Sequence, residues 1–195
     1  MTEKQKDYFT SREAAERLDV SVSTIQLWTN NGLLRAWTTA GGHRRIVRSS
    51  VEEILGQQQA VSSVQKPDEQ LSIVVVEDNA QQLRLYEKQF LAWHMNTRVV
   101  MAKDGYQGLI KIGSTLPDVI ITDLKMPNMD GFQMIRALKE LPELEHSIII
   151  VVSGLKEDEV KTRGGLPEGV YLFTKPIPFK NLETLIREKT RTKVA

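Results

Sequence analysis

The chain after residue 70 alternates five short apolar runs with stretches of helical periodicity, and this alternation restricts the fold more than any other feature of the sequence. The runs occupy 73–76, 98–101, 119–122, 148–152 and 170–173, and β-branched residues are frequent in them. Strands that are apolar along their whole length are typical of a parallel sheet with helices on both faces, because both faces are then buried. We therefore expect an α/β fold with a doubly wound parallel sheet of five strands.

Two of the intervening stretches carry clear helix signals. In the first, Leu83, Tyr86 and Phe90 recur at helical spacing, so one face of that helix should pack on the sheet. A later helix that starts near Lys156 should be short, because Gly164-Gly165 is expected to end it.

The composition is that of an ordinary globular protein. Hydrophobic residues make up 41% and charged residues 26% of the 195 positions, and this length favours a small domain plus a medium one. Cysteine is absent, which excludes disulfides and thiolate zinc sites. The net charge of +1 gives no bulk argument for nucleic acid. No apolar leader and no run of membrane-spanning length is visible, so we expect a cytoplasmic protein without a membrane partner.

A polar, glutamine-rich segment with one proline separates two patterned regions and is typical of a linker. We expect an N-terminal domain over 1–56, a linker over 57–70 and a second domain over 71–192. The first part of the linker is also compatible with an extension of the preceding helix.

Acidic residues follow two of the predicted strands. Glu77-Asp78 comes after the first strand and Asp123 after the third, so their carboxylates should meet at the carboxyl edge of the sheet, where such folds bind ligands. Clustered carboxylates repel one another unless a cation lies among them, and hard oxygen ligands suit Mg²⁺. Ser153 ends the fourth strand and Lys175 follows the fifth, which adds a hydroxyl and an ammonium group. The alternative for the acids is a solvated loop edge.

Together these residues resemble the receiver domain of two-component response regulators, the CheY-like family with a flavodoxin-like fold. The resemblance rests on Glu77-Asp78, Asp123-Leu-Lys-Met-Pro-Asn-Met-Asp-Gly131, Ser153-Gly154 and Lys175-Pro176, and on the separations among them. It covers essentially all of 71–192.

The resemblance implies that Asp123 takes a phosphoryl group from a sensor histidine kinase, a phosphotransfer protein or a small phosphodonor. It also implies that Mg²⁺ is bound by Glu77, Asp78, Asp123 and the main-chain carbonyl of Lys125. Lys175 would pair with the phosphoryl oxygens, and the Ser153 hydroxyl would move in to bind them and carry the switch. Asp130 in the same motif is expected to cap the helix that begins near Gly131 rather than to bind the metal.

The sequence departs from that family at Leu172, where the family usually has an aromatic residue three positions before the lysine. Tyr171 and Phe173 flank this leucine. Coupling between the switch hydroxyl and an aromatic side chain is therefore open, and a loop or helix shift is the alternative route. The short fourth helix also alters a surface that often forms the dimer face of the family, so the mode of dimerisation does not follow from the resemblance.

The N-terminal segment carries the signals of two short helices and a hairpin. Thr10-Ser-Arg-Glu13 is a capping box for the first helix. Ser21 is expected to cap a second helix, which buries Ile25 and Trp28. Two β-like runs then flank a Gly41-Gly42 turn. Two tightly joined helices followed by such a hairpin predict a small winged helix-turn-helix.

Residues 8–56 resemble the winged helix of the MerR and excisionase type. The similarity lies in Phe9-Thr-Ser-Arg-Glu-Ala-Ala, Val20-Ser-Val-Ser-Thr-Ile, Trp28, Gly32-Leu and Gly41-Gly-His-Arg-Arg-Ile46. This resemblance implies that the domain binds double-stranded DNA.

Polar and cationic side chains on the second helix and the wing are the expected DNA contacts. They are Ser21, Ser23, Thr24, Gln26, Arg35, His43, Arg44, Arg45 and Arg48. The first four lie at the start of the helix that would enter the major groove, and the arginines fall in a segment with no acid between positions 20 and 51. The alternative for the arginines is a solvated face. Four arginine–phosphate contacts would give a salt slope of only about −3.6, so we expect a homodimer or a cooperative array.

These features predict a DNA-binding response regulator that is phosphorylated on Asp123 and controls transcription. We expect no enzymatic activity beyond turnover of its own phosphoryl group, because no independent acid–base machinery is evident. The alternative is a signalling adaptor, in which the receiver gates a protein contact of the small domain; Leu27, expected on the DNA-facing side of the second helix, is its best support. A phosphate sink without output is a third and weaker alternative.

Overall fold

The computed structural model describes residues 6–59, 70–127 and 129–190. The chain divides into two compact units, Met1–Val64 and Gln65–Ala195. The division falls within the segment predicted as a linker, of which 60–69 lie outside the described residues.

The N-terminal unit contains three helices and a three-stranded antiparallel sheet. Its elements are β1 (Tyr8–Thr10), α1 (Ser11–Leu18), α2 (Val22–Asn30), β2 (Ala36–Thr38), β3 (Arg44–Val47) and α3 (Arg48–Gln59). The sheet order is β1-β3-β2, so the short N-terminal strand pairs with the second strand of the hairpin. The two helices and the hairpin confirm the sequence prediction, whereas β1 was not expected and α3 continues past residue 56.

Side-chain caps fix the starts of both helices of the helix-turn-helix. The Thr10 amide donates to Glu13 Oε2 at 2.7 Å, and the Glu13 amide donates to Thr10 Oγ1 at 3.2 Å. The Ser21 hydroxyl accepts from the Thr24 amide at 3.0 Å. Between the two helices Asp19 adopts a left-handed conformation with φ of 52°. Both predicted caps are confirmed, and they place the turn between α1 and α2.

The core of this unit corrects one expectation about α2. Ile25 and Trp28 are fully buried, as predicted, but Leu27 is also buried, with only 5% of its surface exposed. Residues three apart lie on one side of a helix, so the buried side that begins at Thr24 reaches Leu27 as well as Trp28. Leu27 therefore belongs to the core and does not lie on an exposed, DNA-facing surface.

The C-terminal unit is built on a five-stranded parallel sheet, as predicted. Its strands are β4 (Leu71–Val76), β5 (Thr97–Ala102), β6 (Val119–Thr122), β9 (Ile148–Ser153) and β10 (Val170–Thr174), in the order β10-β9-β6-β4-β5. A two-stranded ribbon of β7 (Lys125–Met126) and β8 (Met129–Asp130) follows β6.

Four helices and one 3₁₀ turn connect these strands, and a fifth helix follows β10. They are α4 (Ala80–Ala92), α5 (Gly105–Thr115), α6 (Gly131–Lys139), the turn Pro142–Leu144, α7 (Glu157–Thr162) and α8 (Phe179–Lys189). Leu83, Tyr86 and Phe90 are buried in the cluster that packs α4 and α8 on the sheet, as the helical spacing predicted. Helix α7 has six residues, and Gly164 and Gly165 follow it with φ of 91° and 69°, which confirms its predicted early end.

The strand order fixes where a ligand site can form. From β4 the chain runs to β5 on one side and then returns to β6 on the other side of β4. This reversal creates a crevice beyond the carboxyl ends of β4 and β6, because the flanking connections leave in opposite directions.

Candidate functional site

Two buried carboxylates lie at this crevice. Glu77 directly follows β4 and Asp123 directly follows β6, and the two residues are 2% and 6% exposed. The Glu77 amide donates to the Ala102 carbonyl and the Asp123 amide to the Val76 carbonyl, so the sheet ladder continues into both residues. Their placement thus follows from the strands that precede them.

Lys175 joins the two acids. It follows β10, and its amide donates to the Ser153 carbonyl at 2.8 Å. Its Nζ lies 2.7 Å from Glu77 Oε2 and 2.7 Å from Asp123 Oδ2. A single ammonium group therefore offsets two carboxylates that the sheet removes from solvent.

The second oxygen of Asp123 also accepts hydrogen bonds. The Ser153 hydroxyl donates to Asp123 Oδ1 at 2.6 Å, and the Lys125 amide donates to the same oxygen at 3.1 Å. Ser153 is fully buried at the end of β9. Both oxygens of Asp123 are thus held by donors, which orients the carboxylate.

Burial dominates the electrostatics of the other acid. It raises the pKa of Glu77 above the usual carboxyl value, and this effect outweighs the lowering by the Lys175 ammonium and the Asn79 amide. Burial alone would lower the pKa of Lys175, but its hydrogen bonds to Asp123 and Glu77 raise it. The ammonium group of Lys175 therefore stays charged.

The remaining residues predicted for this pocket lie at its margin. Asp78 and the Lys125 side chain are exposed, and Leu172 is half-buried in β10 beside Val151 of β9. The Asp130 carboxylate accepts from the amides of the first turn of α6, which confirms its predicted role as a cap. Asn128 of the same motif lies outside the described residues.

The pocket fits a hard divalent cation by its donor chemistry. Glu77, Asp78 and Asp123 supply carboxylate oxygens at one edge of the sheet, and such hard oxygen ligands suit Mg²⁺. Among the described residues no three His, Cys, Asp or Glu side chains are already arranged around a common metal position.

The predicted contacts on α2 divide into exposed and buried side chains. Gln26 is exposed and Ser23 is half-buried, whereas Thr24 is fully buried. The Thr24 hydroxyl lies 3.0 Å from the Ser21 hydroxyl, which itself caps the helix. The Thr24 side chain therefore belongs to the core and the cap, so the predicted DNA contact of Thr24 is left to its main chain.

Three of the four predicted arginines have partners within the unit. Arg45 donates through Nη1 to the Arg44 carbonyl at 3.1 Å, and its guanidinium lies over the Tyr8 ring. Arg35 donates to the Ser49 hydroxyl at 2.9 Å and to Glu53 at 3.4 Å. Arg48 donates through Nε to the Lys6 carbonyl at 2.7 Å, and its guanidinium lies 4.1 Å from the centre of the Phe9 ring. Arg35, just before β2, thus contacts α3, and Arg48, at the start of α3, contacts β1 and Lys6 before it; β1, β2 and β3 together are called the wing sheet.

The other basic residues of the wing lie on or next to β3. His43 is exposed, and Arg44 and Arg45 are half-buried on that strand. Arg44 Nη1 is buried without a hydrogen-bond partner among the described residues. Arg44 and Arg45 therefore supply the cationic side chains of β3, next to the exposed His43.

The sequence interpretation missed the aromatic side chains of the wing sheet. Trp37 on β2 is 45% exposed, and its ring lies 5.4 Å from that of Tyr8 on β1. The alternation of side chains along β2 could have signalled that Trp37 and Ala36 face opposite sides, but the pairing partner β1 was not predicted.

Comparison with known families identifies both units. Residues 73–187 match the response regulator receiver domain, which is more than half of the chain. The chain belongs to the response regulator receiver family. Residues 8–59 match a helix-turn-helix domain model, in agreement with the fold of the N-terminal unit.

Two regulatory proteins are similar to this chain over about 125 residues. PleD of Caulobacter vibrioides is 34% identical over 125 residues, which are 63% of this chain and 26% of PleD. The transcriptional regulatory protein HptR of Staphylococcus aureus is 32% identical over 124 residues, which are 61% of this chain and 46% of HptR. The chain therefore matches about a quarter of one relative and less than half of the other.

Solved structures agree with the receiver fold. The signal receiver domain of a DNA-binding response regulator protein (merR) from Colwellia psychrerythraea is 25% identical, with a TM-score of 0.55, and the match covers 62% of this chain and 98% of that domain.

Within the ranges that the structure describes, no helix has the length and apolar character needed to cross a bilayer.

Proposed function

We propose that this response regulator binds DNA, that it is phosphorylated on Asp123 in a two-component phosphorelay, and that phosphorylation controls transcription. The observation that carries the proposal is the orientation of the Asp123 carboxylate by Lys175 and Ser153 at the crevice of the receiver, in a chain that also contains a helix-turn-helix unit. A sensor histidine kinase or a phosphotransfer protein is the expected donor.

Phosphorylation requires positioning more than activation of the nucleophile. One oxygen of the Asp123 carboxylate attacks the phosphorus of a phosphohistidine, and the new O–P bond forms as the P–N bond breaks. The released imidazole keeps the electron pair and takes a proton from water. The hydrogen bonds of Ser153 and Lys125 to one carboxylate oxygen fix the direction from which the other oxygen attacks.

Glu77, Asp78, Asp123 and the main-chain carbonyl of Lys125 would hold Mg²⁺ during this transfer. When bound, the ion neutralises charge on the transferred oxygens and so complements Lys175. The buried position and raised pKa of Glu77 support this assignment, since a carboxylate in such a site gains from a nearby cation.

The switch would follow because the new phosphoryl group competes with the carboxylates of Glu77 and Asp123 for the hydrogen bonds of Lys175 and Ser153. The phosphoryl group adds a charge of about −1.5 to −2, so it would draw Lys175 away from Glu77 and accept the Ser153 hydroxyl. Ser153 is the last residue of β9 and Lys175 follows β10, so the ends of both strands, and α7 after β9, would change position. Leu172 offers no ring to rotate inward, and we therefore assign the signal to a shift of the loop and helix beyond Ser153.

The DNA-binding role is assigned to α2 and the wing. Ser23 and Gln26 on α2 would meet the major groove, Ser21 would present its main chain at the helix start, and His43, Arg44 and Arg45 would meet phosphates. Arg35 and Arg48 would add contacts only by giving up their partners within the unit. Since few cations are available per domain, we propose that the active form is a homodimer.

DNA binding is favoured over the adaptor hypothesis. That hypothesis relied on an exposed Leu27, and this side chain is buried. HptR is named a transcriptional regulatory protein, and the Colwellia receiver comes from a DNA-binding response regulator. We therefore propose a cytoplasmic, non-enzymatic regulator whose output is occupancy of DNA.

Phosphorylation is tested by incubating the full chain with a small phosphodonor and Mg²⁺ and measuring the intact mass. We expect one phosphoryl group on wild type and on Asp130→Asn, and none on Asp123→Asn. Asp130→Asn is a matched control because asparagine keeps the oxygen that caps α6. Labelling of Asp123→Asn, or no labelling of wild type, would contradict the assignment.

A further inference from the structure

The outer face of the wing sheet is set by the alternation of its strands. Phe9, Ile46 and Ala36 are cross-strand partners on the side where Ile46 is fully buried. The next row across the sheet consists of Thr10, Arg45 and Trp37, so these side chains lie on the opposite face.

Two aromatic rings and one guanidinium cluster on this outer face. The Trp37 and Tyr8 rings are 5.4 Å apart at 77°, and the Arg45 guanidinium carbon lies 5.6 Å from the centre of the Tyr8 ring. Tyr8 thus packs against both of the other side chains. Trp37 packs against Tyr8, yet 45% of its surface stays open, whereas Trp28 and Trp93 are 0% and 5% exposed.

The surroundings of this face suit an anionic ligand. The segment that contains β2 and β3 has no acid between positions 20 and 51. The nearby Glu13 carboxylate is committed to the cap of α1, where hydrogen bonds with Thr10 lower its pKa. Aromatic rings beside a cation on a sheet face are the arrangement that takes unpaired bases by stacking and their phosphates by charge.

We propose that the outer face of the wing sheet binds an unpaired nucleotide, with the base stacked on Trp37 and the phosphate paired with Arg45. Single-stranded DNA and RNA share this chemistry. The site goes beyond the proposed function, which uses α2 and the wing against duplex DNA and does not involve Trp37.

Intrinsic fluorescence tests the proposal on the full chain. Because Trp28 and Trp93 are buried, quenching on addition of an oligonucleotide reports on Trp37. The protein is titrated with a single-stranded DNA, an RNA of matched sequence, and an abasic strand of equal length that keeps the phosphates but has no bases. We expect quenching by at least one base-bearing strand and none by the abasic strand. Comparison of the DNA and RNA titrations shows which of the two nucleic acids binds.

Variants add a second measurement, the anisotropy of a labelled single strand. Stacking of one base contributes about 1–3 kcal/mol, so Trp37→Ala should weaken binding at least about fivefold. Leu91→Ala is the matched control, since Leu91 is 74% exposed in the other unit. Equal quenching by the abasic strand, no quenching by any strand, or unchanged affinity of Trp37→Ala would overturn the inference. A duplex mobility shift on the same samples reports separately on the proposed function.

Discussion

Replacement of Lys175 by methionine tests how the receiver pocket is stabilised. The change keeps the length of the side chain and removes the ammonium group that lies 2.7 Å from both Glu77 and Asp123. The side chains of the two acids are only 3% and 7% exposed, so each would lose its cation with little access to water. Breaking a buried pair by removing one partner costs about 3–5 kcal/mol, and because Lys175 itself is 18% exposed we expect about 3 kcal/mol.

The loss should depend on pH in a defined direction. Burial already raises the pKa of Glu77 in the folded protein, and the variant removes the lowering effect of Lys175. A carboxyl group whose pKa is raised on folding binds more protons in the native state, so stability rises as the pH falls through the folded pKa towards the unfolded value. The loss of unfolding free energy caused by Lys175→Met should therefore become smaller as the pH falls.

Urea unfolding without divalent metal measures both effects, followed through the buried Trp93 of the receiver at about pH 7.5 and about pH 5. The control is Lys161→Met, which breaks the Lys161–Glu157 pair at 2.9 Å between side chains that are 67% and 70% exposed, and should leave the midpoint unchanged. A loss for Lys175→Met below about 1 kcal/mol, the range of exposed pairs, or a loss that grows on acidification would refute the reasoning.

Two further substitutions test local features. Thr10→Ala should destabilise the N-terminal unit by about 1 kcal/mol in urea unfolding, because the cap of α1 is lost. Thr10→Ser keeps a capping hydroxyl and should retain most of that stability. Gly131→Ala should lower the free energy of unfolding by about 1–3 kcal/mol, since an added Cβ would lie 2.6 Å from the Leu124 carbonyl oxygen. Gly154→Ala, where a Cβ meets nothing within 4 Å, should melt like wild type; equal melting of Gly131→Ala would contradict the packing argument.

The sheet and the crevice could be predicted because their signals are local and redundant. The central strands β4, β6 and β9 are almost entirely apolar and buried, which requires helices on both sides of the sheet, and the acids stand directly after strands that end at one edge. Sequence position thus placed Glu77, Asp123, Ser153 and Lys175 at the same edge. It could not show that one ammonium group is shared by two carboxylates, because that depends on the path of a long side chain.

The N-terminal unit was less predictable for physical reasons. Strand β1 has three residues and exists through its pairing with β3, so its own pattern is too short to signal a strand. Helix α2 has nine residues, and apolar or small side chains cover much of its circumference. Which of Thr24, Leu27 and Gln26 faced solvent therefore depended on how α1 packs against α2, which no local pattern specifies.

Coupling between Asp123 and DNA occupancy tests the central claim most directly. The measurement is a mobility shift on fragments selected from a random duplex pool, with and without a beryllofluoride mimic of the phosphoryl group plus Mg²⁺, for wild type and Asp123→Ala. The account predicts that the mimic changes the affinity of wild type for the selected duplex and leaves that of Asp123→Ala unchanged. Equal affinity in all four samples, or no duplex binding under any condition at low salt, would contradict it.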